Sequence, residues 1–238
     1  MADTARQICE QALLRVGFAA PTTFATSTDT TARQIWALLQ QVDREIKAAR
    51  NWQQFRKEYT FTTTATEEQL DFGDAADFPD QDFKSFVNDS MFNRTQQYPL
   101  VGPLTPTQWQ SRKATVLGDV HYLYTVRGNK LLFMPVPPAG ETVAFEYISS
   151  LFWENEAGTA KIRPTLDTDV PVLDDELYKL AIVWNWKKAK GLDYAEDMRN
   201  YQYMLDDIAG STEPATTLGL ARRQFFLPSP YVPEGGWS

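Results

Sequence analysis

Two amphipathic helical segments joined by a short acidic turn occupy positions 174–210 of the sequence. In the first segment, the apolar residues that follow the i, i+3, i+4, i+7 spacing of one helical face are Leu177, Leu180, Ala181 and Trp184. In the second segment, the residues with helical spacing are Met198, Tyr201, Leu205 and Ile208. A pair of such helices cannot bury both apolar faces by itself. The rest of the chain therefore has to supply a surface that covers them.

Capping residues delimit both helices. Asp174 or Asp175 can accept hydrogen bonds from the free amides of the first turn, and Gly191 suits the position that follows the last turn. Asp193 can cap the second helix, which we predict to end at Gly210. The spacing of these signals predicts a helical hairpin.

Two further helices are predicted near the N-terminus, over residues 4–16 and 29–51. Each has one apolar face. Cys9 lies within the first of these faces, where a small buried side chain is a more common role than a reactive thiol. We expect Trp184 to be largely buried against the second of these helices.

The apolar period changes from helical to alternating between residues 57 and 150, as is typical of β-strands. The clearest hairpin has a Gly-Asn turn between the alternating residues 121–127 and 130–134. A short helix with a capping-box start is predicted after Thr105. Residues 67–82 are acidic and rich in Asp, Gly and Pro, so we predict a loop there.

These patterns predict an α+β fold in which an antiparallel helical bundle, formed by the N- and C-terminal halves of the chain, carries a β-rich insertion and an extended C-terminal tail. The predicted segments are residues 1–56 for the first half of the bundle, 57–171 for the β-rich insertion and its connection, 172–210 for the second half and 211–238 for the tail. A chain of 238 residues can bury a sizeable core.

The composition argues against several functional classes. A formal net charge of −8 and a pI near 4.8 argue against binding nucleic acid by neutralising its phosphates. A single cysteine excludes an internal disulfide bond and any zinc site built from several cysteines. The first residues lack the apolar core of a signal peptide, and no apolar run is long enough to span a bilayer. We therefore expect a soluble protein made in the cytosol, with no membrane partner.

The sequence shows no catalytic motif. His121 is the only histidine and lies in an alternating segment, and no nucleophile-elbow signature supports a Ser-His-Asp triad. The sequence contains no Gly-rich phosphate loop and no His/Cys spacing typical of a metal site. We therefore expect no catalytic residues, no cofactor, no metal ligands and no enzymatic activity.

Acidic clusters in the sequence are expected to have turn and capping roles. Four aspartates could bind a hard cation, but the turn glycine and distal glutamate of a calcium loop are missing from the expected places. These four residues are Asp167, Asp169, Asp174 and Asp175. Pairs such as Glu67 with Glu68, or Asp74 with Asp77, are common in acidic loops and do not by themselves indicate a glycosidase.

The last segment, residues 211–238, follows neither a helical nor an alternating period but contains four prolines and several aromatic side chains. Chain termini are commonly frayed. Disordered segments are usually poor in aromatic residues, however, and aromatic and arginine side chains dominate the binding energy of interfaces. We therefore predict that this tail binds a partner. The predicted partner-binding residues are Arg222, Arg223, Phe225, Phe226, Tyr231 and Trp237.

Several sequence blocks, taken in their order, resemble a known protein family. The blocks read NWQQFRKEYTF from position 51, LVGPLTPTQW from position 100, YTVRGNKLLFMPVPPAGETVAFEY from position 124 and DTDVPVLDDELYKLAIVWNWKKAKGLDYAEDMRNYQ from position 167. Together they resemble the head-to-tail adaptor (connector) proteins of tailed bacteriophages, including the tail tubular protein A group of short-tailed phages. The resemblance covers most of residues 1–210.

The resemblance implies a structural virion protein without catalytic residues or cofactors. Its subunits would form a homo-oligomeric ring, usually of twelve, that docks below the portal protein, extends the DNA exit channel and provides the attachment platform for tail or nozzle proteins. DNA would pass through the channel without specific binding. The implied location is the head–tail junction of the virion, after assembly in the cytoplasm of the host bacterium. The tail residues named above would then bind the portal or a neighbouring subunit.

Two other functional classes stay open. The first is a tail or baseplate component whose β-rich unit binds host carbohydrate through exposed aromatic residues, with Trp109, Tyr122, Tyr124 or Trp153 as candidates. The second is a hydrolase, which would need carboxylates that converge in a cleft. Both depend on geometry, namely on which aromatic rings are exposed and which carboxylates meet.

Overall fold

The computed structural model describes residues 2–79, 81–87, 89–114 and 121–212. Within these ranges the chain forms five α-helices and eleven β-strands, and the strands make three antiparallel sheets. The helices are α1 (Ala5–Arg15), α2 (Thr30–Ala49), α3 (Pro106–Ala114), α4 (Asp175–Ala189) and α5 (Ala195–Thr212). The strands are β1 (Arg56–Thr62), β2 (Glu68–Asp71), β3 (Phe83–Phe86), β4 (Phe92–Asn93), β5 (Tyr98–Pro99), β6 (Leu123–Arg127), β7 (Lys130–Met134), β8 (Thr142–Ser149), β9 (Trp153–Glu154), β10 (Ala160–Lys161) and β11 (Val170–Pro171).

Side-chain caps stabilise the first turns of the long helices. Thr4 and Gln7 form a reciprocal capping box at the start of α1. The Asp29 carboxylate accepts a 2.9 Å hydrogen bond from the Ala32 amide at the start of α2. Asp174 caps α4, as one of the two residues predicted for this role.

The predicted end of α4 is confirmed, whereas the predicted end of α5 is wrong. Gly191 follows α4 with a φ of 70°, a left-handed conformation that favours glycine. The Asp193 carboxylate accepts a 3.1 Å hydrogen bond from the Ala195 amide at the start of α5. The helix then continues through Gly210, because a glycine inside a helix costs only about 1 kcal/mol relative to alanine.

Strand β8 is the centre of the largest sheet. One of its edges pairs with all of β1, from Arg56 opposite Ile148 to Thr62 opposite Thr142. Its other edge pairs with β3 and with β4, and β5 lies outside β4. Short strands that are distant from one another in the sequence thus pair with the same long strand.

The predicted hairpin is confirmed as β6 and β7, in which Arg127 lies opposite Lys130. A third strand, β2, pairs with the other edge of β7. The prediction of a loop over residues 67–82 is therefore wrong at its start. The acidic composition hid this strand, because its pairing partner is distant in the sequence and contributes the hydrogen bonds that define it.

The apolar faces of α1, α2 and α4 meet in one helical core. Residues in or next to the strands complete this core, and they are Phe55, Ile148, Phe152 and Trp153. The rings of Phe55 and Phe152 stack with their centroids 3.7 Å apart. The helices therefore pack against the sheet region as well as against one another.

The prediction of a helical bundle formed by the N- and C-terminal halves, with a β-rich insertion, is wrong. The described residues form a β-rich structure with three antiparallel sheets, and the helical core is closed by residues from the sheet region. The spacing of nearby residues predicts which face of a helix is apolar. It does not predict what covers that face, because the covering residues lie far away in the sequence. The predicted tail begins at the last turn of α5, and residues 213–238 lie outside the described residues.

A second, largely aromatic core is formed by residues of the β1–β8 sheet, the β2–β7–β6 sheet and the loops between them. Phe78 contacts Tyr147 edge to face, with ring centroids 5.2 Å apart. The buried carboxylate of Asp82 accepts hydrogen bonds from the hydroxyls of Tyr147 (2.9 Å) and Ser149 (2.5 Å). Lys57 pairs with the same carboxylate at 2.8 Å, so this buried charge is satisfied.

The expectation that Trp184 is largely buried is wrong. Its ring is only partly buried and lies beside two tyrosines at the start of and within α5, with its centroid 6.3 Å from that of Tyr194 and 6.1 Å from that of Tyr201. Trp186, two residues later, is the buried tryptophan of α4. Helix α4 is apolar around most of its circumference, so its spacing does not single out one inward face.

The connection between β9 and α4 is held in place by the buried Asp169. Its carboxylate accepts hydrogen bonds from the amides of Thr165 (2.7 Å) and Leu166 (2.9 Å) and pairs with the Lys161 ammonium at 2.7 Å. Its carbonyl oxygen accepts a 2.7 Å hydrogen bond from the Ala5 amide of α1. Burial raises the pKa of this carboxyl, but Lys161 and the two amides outweigh burial, and the pKa lies below its ordinary value.

We expect Asp169→Asn to lower the free energy of unfolding at neutral pH by about 1.5–3 kcal/mol, the range for hydrogen bonds to a charged group. A carboxyl whose pKa is depressed in the folded state stabilises the protein above its unfolded pKa and loses this effect as the pH falls through the folded pKa. The difference between wild type and variant should therefore shrink below about pH 4. Urea unfolding at pH 7 and in acid measures both values. If wild type and variant differed equally in free energy of unfolding at both pH values, the stabilising role of the ionised Asp169 carboxylate would be contradicted.

Candidate interaction surfaces

Cys9 and His121 are the single cysteine and the single histidine of the sequence. Cys9 is fully buried in the helical core, and burial, followed by the charge of Asp167, raises the pKa of its thiol well above the ordinary value. His121 contacts the ring of Tyr98 edge to face, with centroids 4.6 Å apart. Among the described residues, no three His, Cys, Asp or Glu side chains come together in a way that could hold a metal ion.

The four aspartates considered for a hard cation have separate structural roles. Asp167 accepts hydrogen bonds from the amides of Phe24 and Ala25. Asp174 caps α4, Asp175 pairs with Lys179 at 2.6 Å, and Asp169 holds its own loop as described above. The turn and cap roles predicted from the sequence are confirmed for Asp169 and Asp174.

An acidic cleft of about 560 Å³ lies beside β2. Its carboxylates belong to Glu67, Glu68, Asp71, Asp74 and Asp77. Glu67 forms an ion pair with Lys113 at 2.8 Å, and Glu68 forms one with Lys130 at 2.7 Å. The three aspartates accept hydrogen bonds from backbone amides of the same turn. The cleft thus brings together the acidic pairs of the sequence, but each carboxylate holds a lysine or a turn amide.

The aromatic residues considered for carbohydrate binding are mostly buried. Trp109, Tyr124 and Trp153 are at most 1% exposed, and only Tyr122 is half-buried. A sugar-binding platform needs exposed rings beside polar groups. These four residues therefore do not form one exposed surface.

An open apolar groove of about 300 Å³ lies between α2 and α4, and we call it the α2–α4 groove. It is lined by Gln34, Ala37, Leu38, Gln41, Trp186, Ala189 and Lys190. The Lys190 ammonium lies 4.5 Å from the centre of the Trp186 ring and donates a 3.1 Å hydrogen bond to the Gln34 side chain. The ring of Phe18 contacts the same tryptophan edge to face, with ring centroids 5.9 Å apart.

Large apolar side chains are exposed at and just after the end of α1 and on α5. Phe18 is 48% exposed and Leu14 is 60% exposed. The apolar stripe of α5 is only half-buried against the helical core, and it includes Met198, Tyr201, Met204, Leu205 and Ile208. Burial, followed by the charge of Glu45, raises the pKa of Tyr201 to about 12, so this hydroxyl is neutral at physiological pH. These surfaces leave apolar area for a partner to cover.

The sequence pattern did not predict the α2–α4 groove. It also did not predict which further residues of α4 are buried. Ile182, Val183 and Trp186 lie off the stripe predicted for α4, and all three belong to the subunit's own core. Phe18 lies between the two predicted N-terminal helices, directly after Gly17, whose φ is 83°. The six tail residues predicted to bind a partner lie outside the described residues.

Comparison with known proteins decides the class of this chain. A family model described as SU10 adaptor protein matches residues 3–223, which is most of the sequence. The chain belongs to the SU10 adaptor protein family. The resemblance to phage head-to-tail adaptors is thereby confirmed, and no curated protein matches the chain.

Membership in the SU10 adaptor family makes the chain a structural protein of a bacteriophage virion. Membership in this family implies association with other components of the phage head and tail. No helix within the described ranges is long and apolar enough to cross a membrane.

Proposed function

We propose that this SU10-family adaptor forms a homo-oligomeric ring of twelve subunits that docks below the portal protein. The ring extends the DNA exit channel and provides the attachment platform for tail or nozzle proteins. The observation that carries the proposal is the family match over residues 3–223. The corresponding location is the head–tail junction, reached after assembly in the cytoplasm of the bacterial host.

The half-buried apolar surfaces support a ring. A subunit in a ring buries two different faces, one against each neighbour, because the contacts are head to tail. The stripe of α5 and the α2–α4 groove lie on opposite sides of α4, so they offer two such faces. An isolated subunit leaves both partly open to water.

The net charge supports a channel in which DNA slides. The chain has a formal charge of −8, and the cleft beside β2 concentrates five carboxylates. Like charges on protein and phosphate disfavour adhesion, so DNA passes without specific binding.

The C-terminal tail is proposed to bind the portal or a neighbouring subunit. Its side chains for this contact are Arg222, Arg223, Phe225, Phe226, Tyr231 and Trp237. The arginines can pair with carboxylates, and the rings can fill apolar pockets of the partner. One copy of the tail in each subunit would give the ring a collective hold through many weak contacts.

The test is direct imaging of the full-length protein. Negative-stain images and native mass spectra of the purified protein, alone and mixed with purified portal, should show a closed ring stacked on the portal. The substitutions Tyr203→Glu, on the exposed face of α5, and Leu205→Glu, in its half-buried stripe, each introduce a carboxylate and form a matched pair, since only the second lies on a proposed face. Monodisperse single subunits in every mixture would overturn the proposal.

A further inference from the structure

We propose that a tail protein adds an extended strand to the free edge of β1, the outer strand of the largest sheet. This inference rests on the attachment platform proposed above and names the contact by which the platform holds a tail protein. It follows from the backbone groups that β1 leaves unpaired, from the blocked edges of other strands and from the sequence pattern of the chain.

The register of β1 shows which of its backbone groups face outward. On the far edge of β8, the Val87 amide donates a 3.0 Å hydrogen bond to the carbonyl of Glu146. Successive residues of a strand direct their N–H and C=O groups to opposite edges, so odd-numbered residues of β8 such as Phe145 bond to β1. Phe145 lies opposite Tyr59. The odd-numbered residues of β1 therefore bond to β8, and its even-numbered residues face away from β8.

Three of the outward-facing residues have no hydrogen-bond partner for their backbone groups among the residues that the structure describes. They are Glu58, Thr60 and Thr62, and all three are exposed. Their amides and carbonyls repeat about every 6.8 Å, which is two residues of an extended chain. A second extended polypeptide has acceptors and donors at the same spacing. The free edge of β1 thus has the chemistry of a site for an added β-strand.

Several other outer strands have edges that are blocked or irregular. The Asp71 amide of β2 donates a 3.1 Å hydrogen bond to the Asp77 carboxylate, and the Leu104 amide donates one of 2.9 Å to the carbonyl of Tyr124 in β6. Strand β5 contains Pro99, and β3 has a register shift where it pairs with β8. Proteins block sheet edges in these ways because an open edge pairs with other chains. Within the described ranges, β1 is the longest strand that keeps an open edge.

The charges on β1 are already paired inside the subunit. Glu58 pairs with Arg94 at 2.8 Å, and Lys57 pairs with the buried Asp82 at 2.8 Å. Charged side chains on an edge strand ordinarily discourage pairing, but these two are held by partners of opposite charge. Residues 59–62 of the strand carry no charge and are aromatic or β-branched, as favours strand pairing. An incoming strand therefore meets little electrostatic repulsion at this edge.

The sequence of the chain argues for another protein as the source of the strand. The inner face of β1 presents Tyr59 and Phe61, so an added strand needs apolar residues at alternate positions to cover them. Residues 213–238 have no alternating period, and residues 115–120 continue into described segments at both ends. Pairing of β1 with β1 of a second copy uses the same edge twice and cannot repeat around a ring. Since the C-terminal segment is proposed to hold the portal or a neighbour, we assign the edge of β1 to the tail protein.

Hydrogen exchange of the full-length protein tests this contact. The samples are the protein alone, rings assembled on purified portal, and the same rings with tails purified from the same phage. Mass spectrometry with electron-transfer dissociation reads the exchange of single amides. We expect the amides of Glu58, Thr60 and Thr62 to slow about a hundredfold or more when tails are added, and not before. The amides of Tyr59 and Phe61, which bond to β8, should be slow in every sample.

A matched pair of variants removes one backbone donor from the edge. Thr60→Pro lacks the outward-facing N–H and keeps the hydrogen bonds to β8, since proline is tolerated on an edge strand where the N–H faces solvent. Thr60→Ala truncates the side chain but keeps the N–H. The affinity of tails for rings, measured by sedimentation, should fall about tenfold or more in Thr60→Pro and stay close to wild type in Thr60→Ala. The exchange measurement needs no variant, so it tests the contact even where Thr60→Pro does not fold.

The other outcomes overturn the inference and identify what fails. Slow exchange of the three outward amides in the protein alone would mean that the chain covers its own edge, and slow exchange in rings without tails would assign the edge to a neighbour or to the portal. Tails that bind without slowing these amides, or that bind a folded Thr60→Pro as tightly as Thr60→Ala, would remove the strand contact and leave the proposed platform intact. Wild-type protein that forms no ring, or rings that bind no tail, would overturn the proposed function itself, and this contact with it.

Discussion

Replacing Trp153 with alanine is expected to lower the free energy of unfolding by about 3–5 kcal/mol, the range for truncation of a large aromatic side chain in a core. Trp153 is fully buried, and its ring contacts that of Tyr178 edge to face with centroids 5.2 Å apart. Its indole N–H donates a 2.8 Å hydrogen bond to the buried carboxylate of Asp43. The variant therefore loses packing and leaves a buried charge with one donor fewer. Urea unfolding followed by circular dichroism measures the change.

Two comparisons make this result specific. Trp153→Phe keeps most of the ring and removes the donor, so its cost should be about 1–3 kcal/mol. Burial already raises the pKa of Asp43, and loss of the donor raises it further, so this cost should decrease as the pH falls through the raised folded-state pKa, which lies above the ordinary value of Asp. Trp184→Ala should cost less than Trp153→Ala, because Trp184 is only partly buried. A larger effect at Trp184 would show that the core is packed differently.

Removing residues 213–238 should weaken attachment to portal-bearing heads by about two to four orders of magnitude, the range that multivalent linkage provides. The same truncation should leave the free energy of unfolding of the subunit unchanged, because these residues follow neither a helical nor an alternating period and are proposed to bind a partner. Binding of the labelled protein to purified heads, measured by sedimentation, gives the first quantity, and urea unfolding gives the second.

Substitutions in the full-length chain distinguish the effect of the aromatic side chains from the effect of shortening the tail. The double variant Phe225→Ala and Phe226→Ala should lose much of the attachment, whereas Thr216→Ala and Thr217→Ala should keep it. Undiminished attachment of the truncated protein would show that the tail has no part in binding.

Local features of this fold could be predicted from the sequence, whereas its assembly could not. The cap at Asp174 and the glycine after α4 depend on a few adjacent residues, and both predictions are confirmed. The partner of each apolar face depends on residues far away in the chain. Phe152 and Trp153 enter the helical core from a connection without a periodic pattern, so no spacing rule could assign them. For this reason the predicted helical bundle was wrong.

The interaction surfaces likewise combine features that the local sequence predicts with features that depend on the fold. Trp186 lies off the apolar stripe predicted for α4, and its surroundings include α2 and Phe18, which the sequence does not place beside it. Burial of Trp109, Tyr124 and Trp153 likewise became known only from the fold, and it removes the geometric basis for carbohydrate binding through them. The family, by contrast, was recognisable from blocks of sequence, because these blocks preserve local detail.

Strand β8 runs through both cores of the subunit. Val143, Phe145 and Tyr147 belong to the aromatic core, and Ile148, the next residue, belongs to the helical core. A pull on the sheet is therefore transmitted to the helices through one continuous backbone that is also hydrogen-bonded along the whole of β1. The amide hydrogens of β8 should exchange with solvent only when both cores open together. A rigid element of this kind allows a subunit to transmit force without changing shape.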